Sequence, residues 1–424
     1  MIYKKLGIKI VVLICAAVFV CSLSTHASAT TYPLATGALE SYLKTKPQGR
    51  ARIDDQAFAN WELSKPDAAA AAKILWADHV ARLRIERADE MKNLVIKDGD
   101  KEMPFFYKLY GDKPKTGRRL FISMHGGGNG PKAMNDQQWQ NQKLLYKPDE
   151  GVYVAPRAPT NTWNLWHEPH IDRMFARLIE DMIVFEDVNP DQVYIMGYSA
   201  GGDGVYQLAP RMADYLAAAS MMAGHPNDAS PLGLRNLPFA IHVGELDNGY
   251  NRNKVAREWG QKLDDLHNAD KEGYEHIVEL HKGKAHWMDR EDASAVGWMA
   301  SHTRNLFPTK IVWRQSSVIH NRFYWLAVTG KPKPGDLIEA TIEKNIIELK
   351  SQAFNPDCNI LVRLNDQMAN LDQPITVLIN GKKVFEGSIT RTIKTMKKTL
   401  DERGDNTGVF TAEIEIKAAD LLVK

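Results

Sequence analysis

The chain is poor in cysteine, in long apolar runs and in any excess of one charge, and each shortage closes off a class of protein. Of its 3 cysteines, Cys15 and Cys21 lie near the N-terminus and only Cys358 lies in the body of the chain, so a disulfide-built scaffold is excluded. The apolar run from Ile10 to Val20 is too short to span a bilayer comfortably. The 54 lysines and arginines are balanced by 52 acids, with no repeat or long low-complexity segment, and nothing favours nucleic acid as a partner. A zinc-protease register is missing as well. The stretch His167-Glu168-Pro169-His170 lacks the spacing that sets two histidines on one helical face, so no metal is expected.

What is present begins with a leader. Lys4, Lys5 and Lys9 precede the apolar run, and Ala27-Ser28-Ala29 offers a small-residue cleavage site. This pattern predicts a secretory signal over residues 1–29, cut after Ala29, and a protein that is periplasmic or secreted with no stable membrane anchor after cleavage. Loss of three lysines takes the formal charge from +2 to −1, and both leader cysteines go with it. A chain of 424 residues exceeds the usual single core, while 44% hydrophobic and 25% charged residues are ordinary for a globular protein.

The next segment, residues 30–91, reads as a helical extension. Ser64-Lys65-Pro66-Asp67 combines a cap, an early proline and a first-turn acid, and Trp76, Val80 and Leu83 follow at helical spacing. The reading is a helix packed on its neighbour, with a lid over a site as the alternative. Residues 92–308 then alternate strand and helix patterns. Asn93 to Lys97 and Met103 to Leu109 are joined through Asp98-Gly99, a favourable hairpin turn. Leu120 to Met124, Val152 to Ala155, Val193 to Met196, Ala217 to Met222, Phe239 to Val243 and His276 to Leu280 follow as short apolar strands. Between them, Met174, Leu178, Met182 and Phe185 form one helical stripe and Val255, Trp259, Leu263 and Leu266 another. Such alternation predicts an α/β fold with a mostly parallel sheet covered on both faces. Residues 309–424 change character to short β-branched runs, Phe323 to Val328 among them as an expected strand, broken by Pro, Gly, Asn and Asp, with Asn380-Gly381 as a hairpin signal, and predict a small all-β sandwich.

The chemistry is concentrated in Gly197-Tyr198-Ser199-Ala200-Gly201, directly after the strand Val193 to Met196. A serine on a sharp strand-to-helix turn between small residues projects its hydroxyl free of the sheet as a nucleophile. Upstream, His125-Gly126-Gly127-Gly128-Asn129-Gly130 follows another strand, and successive glycines let backbone N–H groups approach an oxygen that becomes negative. The expected donors are Gly126 or Gly127 and Ala200. Serine needs a base, and the base needs an acid to orient it. Asp247 follows the strand Phe239 to Val243, with Glu245 and Asp228 as alternatives. His286 follows the strand His276 to Leu280, with His225, His276 and His281 as alternatives.

Together these motifs resemble the α/β-hydrolase superfamily, especially secreted esterases of the polyhydroxybutyrate-depolymerase, feruloyl-esterase and dienelactone-hydrolase-like kind. The resemblance covers about Lys115 to Phe307. It implies a serine mechanism through Ser199, His286 and Asp247 with no metal or organic cofactor, and leaves the substrate open. Trp163 and Trp166 lie in a loop at the catalytic edge, and with Trp287 and His225 they are candidate substrate contacts. The expected function is an exported serine esterase acting on a small-molecule or polysaccharide ester. A serine peptidase and a non-catalytic binding protein on the same scaffold are the alternatives.

Overall fold

The computed structural model describes residues 32–46 and 49–422, and the expected leader lies outside them. The chain begins with α1 (Tyr32–Leu43), α2 (Lys65–Glu86) and α3 (Ala88–Asn93). Ser64 caps α2 by accepting the N–H of Asp67, as its sequence predicts. Ala68, Ala71 and Leu75 then bury one face of the helix. Its other attachments are ionic: His79 lies 2.8 Å from Glu180, and Arg87 pairs with Glu180 and Asp181 at 2.5 and 2.9 Å. No residue of α1 to α3 lines the cleft described below, so the extension is a buttress and not a lid.

Eight strands form the main sheet: β1 (Val95–Asp98), β2 (Lys101–Tyr110), β3 (Arg118–Met124), β4 (Gly151–Pro156), β5 (Val188–Tyr198), β6 (Ala218–Met222), β7 (Phe239–Gly244) and β8 (His276–His281). Their spatial order is β1-β2-β4-β3-β5-β6-β7-β8. The β1-β2 and β2-β4 pairings are antiparallel, and every pairing from β4 to β8 is parallel. The connections include α4 (Lys132–Gln142), α5 (Pro169–Glu186), α6 (Ala200–Arg211), α7 (Arg252–Ala269) and α8 (Ser294–Ala300). The core strands are buried along nearly their whole length, as strands covered on both faces must be, and α5 turns Met174, Leu178 and Met182 inward. This order, with a one-residue strand-to-helix turn at Ser199 between β5 and α6, is the α/β-hydrolase fold. No helix among the described residues is long and apolar enough to cross a membrane.

Beyond residue 309, β9 (Lys310–Arg314), β10 (Arg322–Phe323), β11 (Leu326–Thr329), β12 (Leu337–Glu343), β13 (Ile346–Ala353), β14 (Asn359–Leu364), β15 (Ile375–Ile379), β16 (Lys382–Gly387) and β17 (Ala412–Lys417) make two sheets, β10-β11-β14-β17 and β16-β15-β13-β12-β9. Asn380 and Gly381 both take positive φ, 48° and 81°, the backbone of a type I′ hairpin. Two expectations need correction. The region is not all β, because α9 (Ile393–Arg403) crosses it. Thr392 caps α9, Ile393, Met396 and Leu400 bury its face, and Gly404 ends it in left-handed backbone. The strand expected over residues 323–328 is broken at Tyr324, whose φ of 51° folds it into the β10–β11 hairpin.

The two parts are locked by buried charge. Asp214, from the hydrolase part, receives Arg403 at 2.8 Å and Arg322 at 2.7 Å. Arg304 pairs with Asp191 at 2.8 Å and Asp405 at 3.1 Å. Burial alone would raise the carboxyl of Asp214, but the Arg403 and Arg322 guanidiniums outweigh it and hold the group below its ordinary value. A depressed carboxyl contributes stability above its unfolded pKa of about 4 and loses it as pH falls through the folded value. Asp214→Asn strands two buried guanidiniums and is expected to cost about 3–5 kcal/mol at pH 7 by urea denaturation. The gap between variant and parent should narrow as pH falls below about 4.

Candidate active site

At the end of β5 the chain turns so sharply that Ser199 sits at φ 57°, ψ −120°, and α6 starts on the next residue. Few L-residues adopt that backbone, and its cost is borne by close packing around it. A Cβ on Gly197 would lie 2.2 Å from the carbonyl oxygen of Gly201, and one on Gly201 would lie 2.2 Å from that of Met124. Ser199 N–H donates to Met222 O at 2.9 Å, tying the turn to β6. Its hydroxyl therefore stands at the N-terminus of α6, where the first N–H groups lack helical partners and the dipole is positive.

Two later strand ends complete a relay. His286 Nε2 lies 3.0 Å from Ser199 Oγ, and its Nδ1 lies 2.7 Å from Asp247 Oδ2. With Nδ1–H donating to the carboxylate, Nε2 is left as the acceptor facing the serine hydroxyl, the arrangement in which an imidazole can take a proton. Asp247 is 3% exposed, which keeps water from competing for the imidazole. The alternatives are occupied elsewhere. Glu245 accepts the N–H of Gly283 at 2.9 Å, and Asp228 accepts Gln207 at 2.8 Å. His276 pairs with Asp264 and His281 with Glu291, both at 3.2 Å.

The glycine loop after β3 is held by groups that cannot turn to solvent. Buried His125 donates Nδ1–H to Gly126 O at 2.6 Å and accepts the N–H of Ala158 on Nε2 at 3.1 Å. Burial pulls its pKa down to about 4, so the ring is neutral and both nitrogens serve the loop. Asn135 accepts Gly128 N–H at 2.7 Å and donates to Gly130 O and Pro131 O. Gly127 and Gly128 take φ 106° and 82°, backbone that favours glycine. A Cβ on Gly126 would come within 3.1 Å of Ser199 Cβ, so the loop lies directly against the nucleophile.

Ser199, Ala200, His286, Gly126 and Gly127 line one cleft of about 1290 Å³. Trp163, Trp287 and His225 line it too, with Trp163 59% and Trp287 50% exposed. Trp166 does not, and this corrects its expected role as a substrate contact. It is fully buried, donates Nε1–H to His125 O at 2.9 Å and packs where Gly204 has no side chain.

Sequence reasoning missed Tyr198, although it lies inside the serine motif. Its hydroxyl donates to His286 O at 2.6 Å and accepts Met288 N–H at 3.1 Å, which clamps both sides of the histidine loop. An aromatic residue beside the serine was the available signal, but its partner lies 88 residues away in sequence.

No family model matches the chain. It is 29% identical over 143 residues to a protein of Nocardia uniformis subsp. tsuyamanensis named "Putative esterase NocK". That match takes in 31% of this chain, which spans 40% of the relative's length. Among solved structures, a thermostable esterase is similar at 17% identity and TM-score 0.38, with 50% of this chain and 62% of that one covered. A ferulic acid esterase is similar at 13% identity and TM-score 0.37, with 49% and 96% covered.

The clamp gives a measurable expectation. A 1 Å misplacement of a catalytic group costs on the order of a hundredfold in rate. Tyr198→Phe should slow labelling of Ser199 by a fluorophosphonate about tenfold or more, at unchanged reagent saturation, while circular dichroism stays that of the parent.

Proposed function

We propose, from the premise that residues 95–307 form an α/β-hydrolase, that this chain is an exported serine esterase cleaving carboxylic esters through an acyl-enzyme. The observation that carries this reading is the 3.0 and 2.7 Å relay from Ser199 through His286 to Asp247, set against a glycine loop. The relative named an esterase supports ester as the bond class.

Ser199 Oγ attacks the carbonyl carbon as His286 Nε2 takes its proton, and Asp247 stabilises the imidazolium that results. The carbonyl oxygen, now an anion, is received by the N–H groups of Ala200 and of Gly126 or Gly127, donors already fixed in place. Collapse breaks the bond to the alcohol oxygen, which leaves with the proton from His286. Water then repeats the sequence on the acyl-enzyme: its proton goes to His286, its oxygen to the acyl carbon, and the proton returns to Ser199 as the acid departs.

The open cleft with exposed Trp163 and Trp287 supports a substrate larger than a simple acetate, such as an acylated polysaccharide or another polymer-derived ester. Export is read from the leader pattern of residues 1–29.

The test is turnover of nitrophenyl acetate and butyrate, acetylated xylan, a feruloyl ester and a peptide anilide, beside Ser199→Ala. Ester turnover that falls by a factor on the order of 10⁴ to 10⁶ in the variant is expected. Amide turnover alone would replace the esterase by a peptidase, and silence on all substrates with no fluorophosphonate label on Ser199 would leave a binding protein. N-terminal sequencing of the protein from the periplasm or medium should begin at Thr30, whereas an intact Met1 would remove export from the reading.

A further inference from the structure

Two stretches at the rim of the cleft each hold consecutive non-glycine residues in left-handed backbone. Tyr250 and Asn251 have φ of 54° and 57°, and Asp289 and Arg290 have 53° and 68°. One stretch follows β7 just after Asp247, and the other follows β8 just after His286. Side chains with a Cβ disfavour this backbone, and where it persists the surroundings over-determine it, as they do at functional sites. The two stretches share an outcome: each brings an arginine, Arg252 or Arg290, to the wall of the cleft that holds Ser199.

The charges around these arginines are unevenly spent. The acids flanking Arg290 are engaged elsewhere, Asp289 and Glu291 with Lys284 at 2.9 and 3.0 Å and Asp292 with the Tyr146 hydroxyl. Arg290 itself is exposed and has no ion pair among the described residues. Arg252 lies over the Tyr250 ring at 4.8 Å, donates to Gly249 O at 3.3 Å and stands 3.8 Å from Asp247 Oδ1. Its Nε is buried with no partner. The acidic side chain in the lining is Asp203, which is partly buried and already accepts the N–H of His225 at 2.6 Å. Arg290 therefore offers the cleft a guanidinium without an ion pair among the described residues, and Arg252, lining the same cleft, is held by Asp247 at 3.8 Å while its Nε has no partner there.

We propose that Arg252 and Arg290 form an anion subsite, and that the ester taken by this cleft carries a carboxylate, its ring or apolar part lying on Trp163, Tyr250 and Trp287. Guanidinium suits a carboxylate in geometry as well as charge, and the neighbouring aromatic faces favour an acidic sugar or a comparable ring acid. The proposal rests on the esterase reading above.

Two substrate pairs test it with the full chain. Nitrophenyl hemisuccinate against nitrophenyl butyrate puts the carboxylate on the acyl side, and an acetylated methyl glucuronide against the matching acetylated methyl glucoside puts it on the alcohol side. In at least one pair the anionic member should have a kcat/KM about tenfold higher, carried by KM and shrinking with added salt. Arg290→Gln should bring that ratio close to one, while Arg290→Lys keeps part of it. Equal values within both pairs, with nitrophenyl butyrate still hydrolysed, would overturn the subsite and leave the esterase reading standing. A ratio untouched by Arg290→Gln overturns it equally. No turnover of any ester, with Ser199 unlabelled by a fluorophosphonate, removes the reading beneath and the subsite with it.

Discussion

The turn at Ser199 has no room for one more carbon, and much of the molecule serves to keep it that tight. Gly197, Gly201, Gly202 and Gly224 each bring backbone to within 2.2 to 2.6 Å of where a Cβ would stand. Strain of this kind is of order 1–3 kcal/mol per residue and survives only where packing leaves no relaxed alternative. Here β3, β5 and β6 lie side by side, so the carbonyls of Met124 and Met222 close on the turn from two neighbouring strands. The turn at Ser199 is thus a property of the sheet more than of its own five residues.

A parallel sheet gathers its strand ends at one edge, which explains how residues 125, 199, 247 and 286 converge. Convergence alone leaves each loop free to drift by more than catalysis tolerates. Each is therefore pinned by polar groups of the chain. His125 and Asn135 hold the glycine loop, and Tyr198 holds the histidine loop. The acid loop is tied by Asn253, which donates to the carbonyls of both Asp247 and Glu245. Because His125 is neutral and fully bonded, the loop it holds does not depend on pH in the range where an imidazole relay operates.

What the sequence made legible follows from range. The serine turn, the glycine loop and the strands before Asp247 and His286 are local patterns, and their spacing carries the chemistry directly. The caps of α2 and the Asn380-Gly381 turn are local in the same sense. Trp166 and Trp163 stand three residues apart in one loop, yet one packs under Gly204 and the other faces the cleft, a difference set by a glycine of α6 that lies 38 residues beyond Trp166. Tyr198 acts on His286 and Met288, partners that no local pattern names. The helix α9 was written in its cap, its apolar spacing and Gly404, but β-rich flanks concealed it.

The part beyond residue 309 meets the hydrolase part away from the cleft. Among the described residues, those lining the cleft fall between Gly126 and Arg290, so the β sheets beyond residue 309 do not line it. Their attachment is nonetheless deep: Arg403, Arg322 and His320 reach Asp214 and Asp172, and α9 shares an apolar cluster with α2. Buried ion pairs are a poor source of net stability, since desolvation offsets most of their attraction. Separating Asp214 from Arg403 and Arg322 would leave buried charge unpaired, so these pairs act against misalignment of the two parts. Asp172 lies on α5 and is bound by Arg211 at the end of α6, the helix that begins at Ser199. The far region therefore braces the C-terminal end of the helix whose N-terminus presents Ser199, and this links it to the candidate site through His320, Asp172 and Arg211.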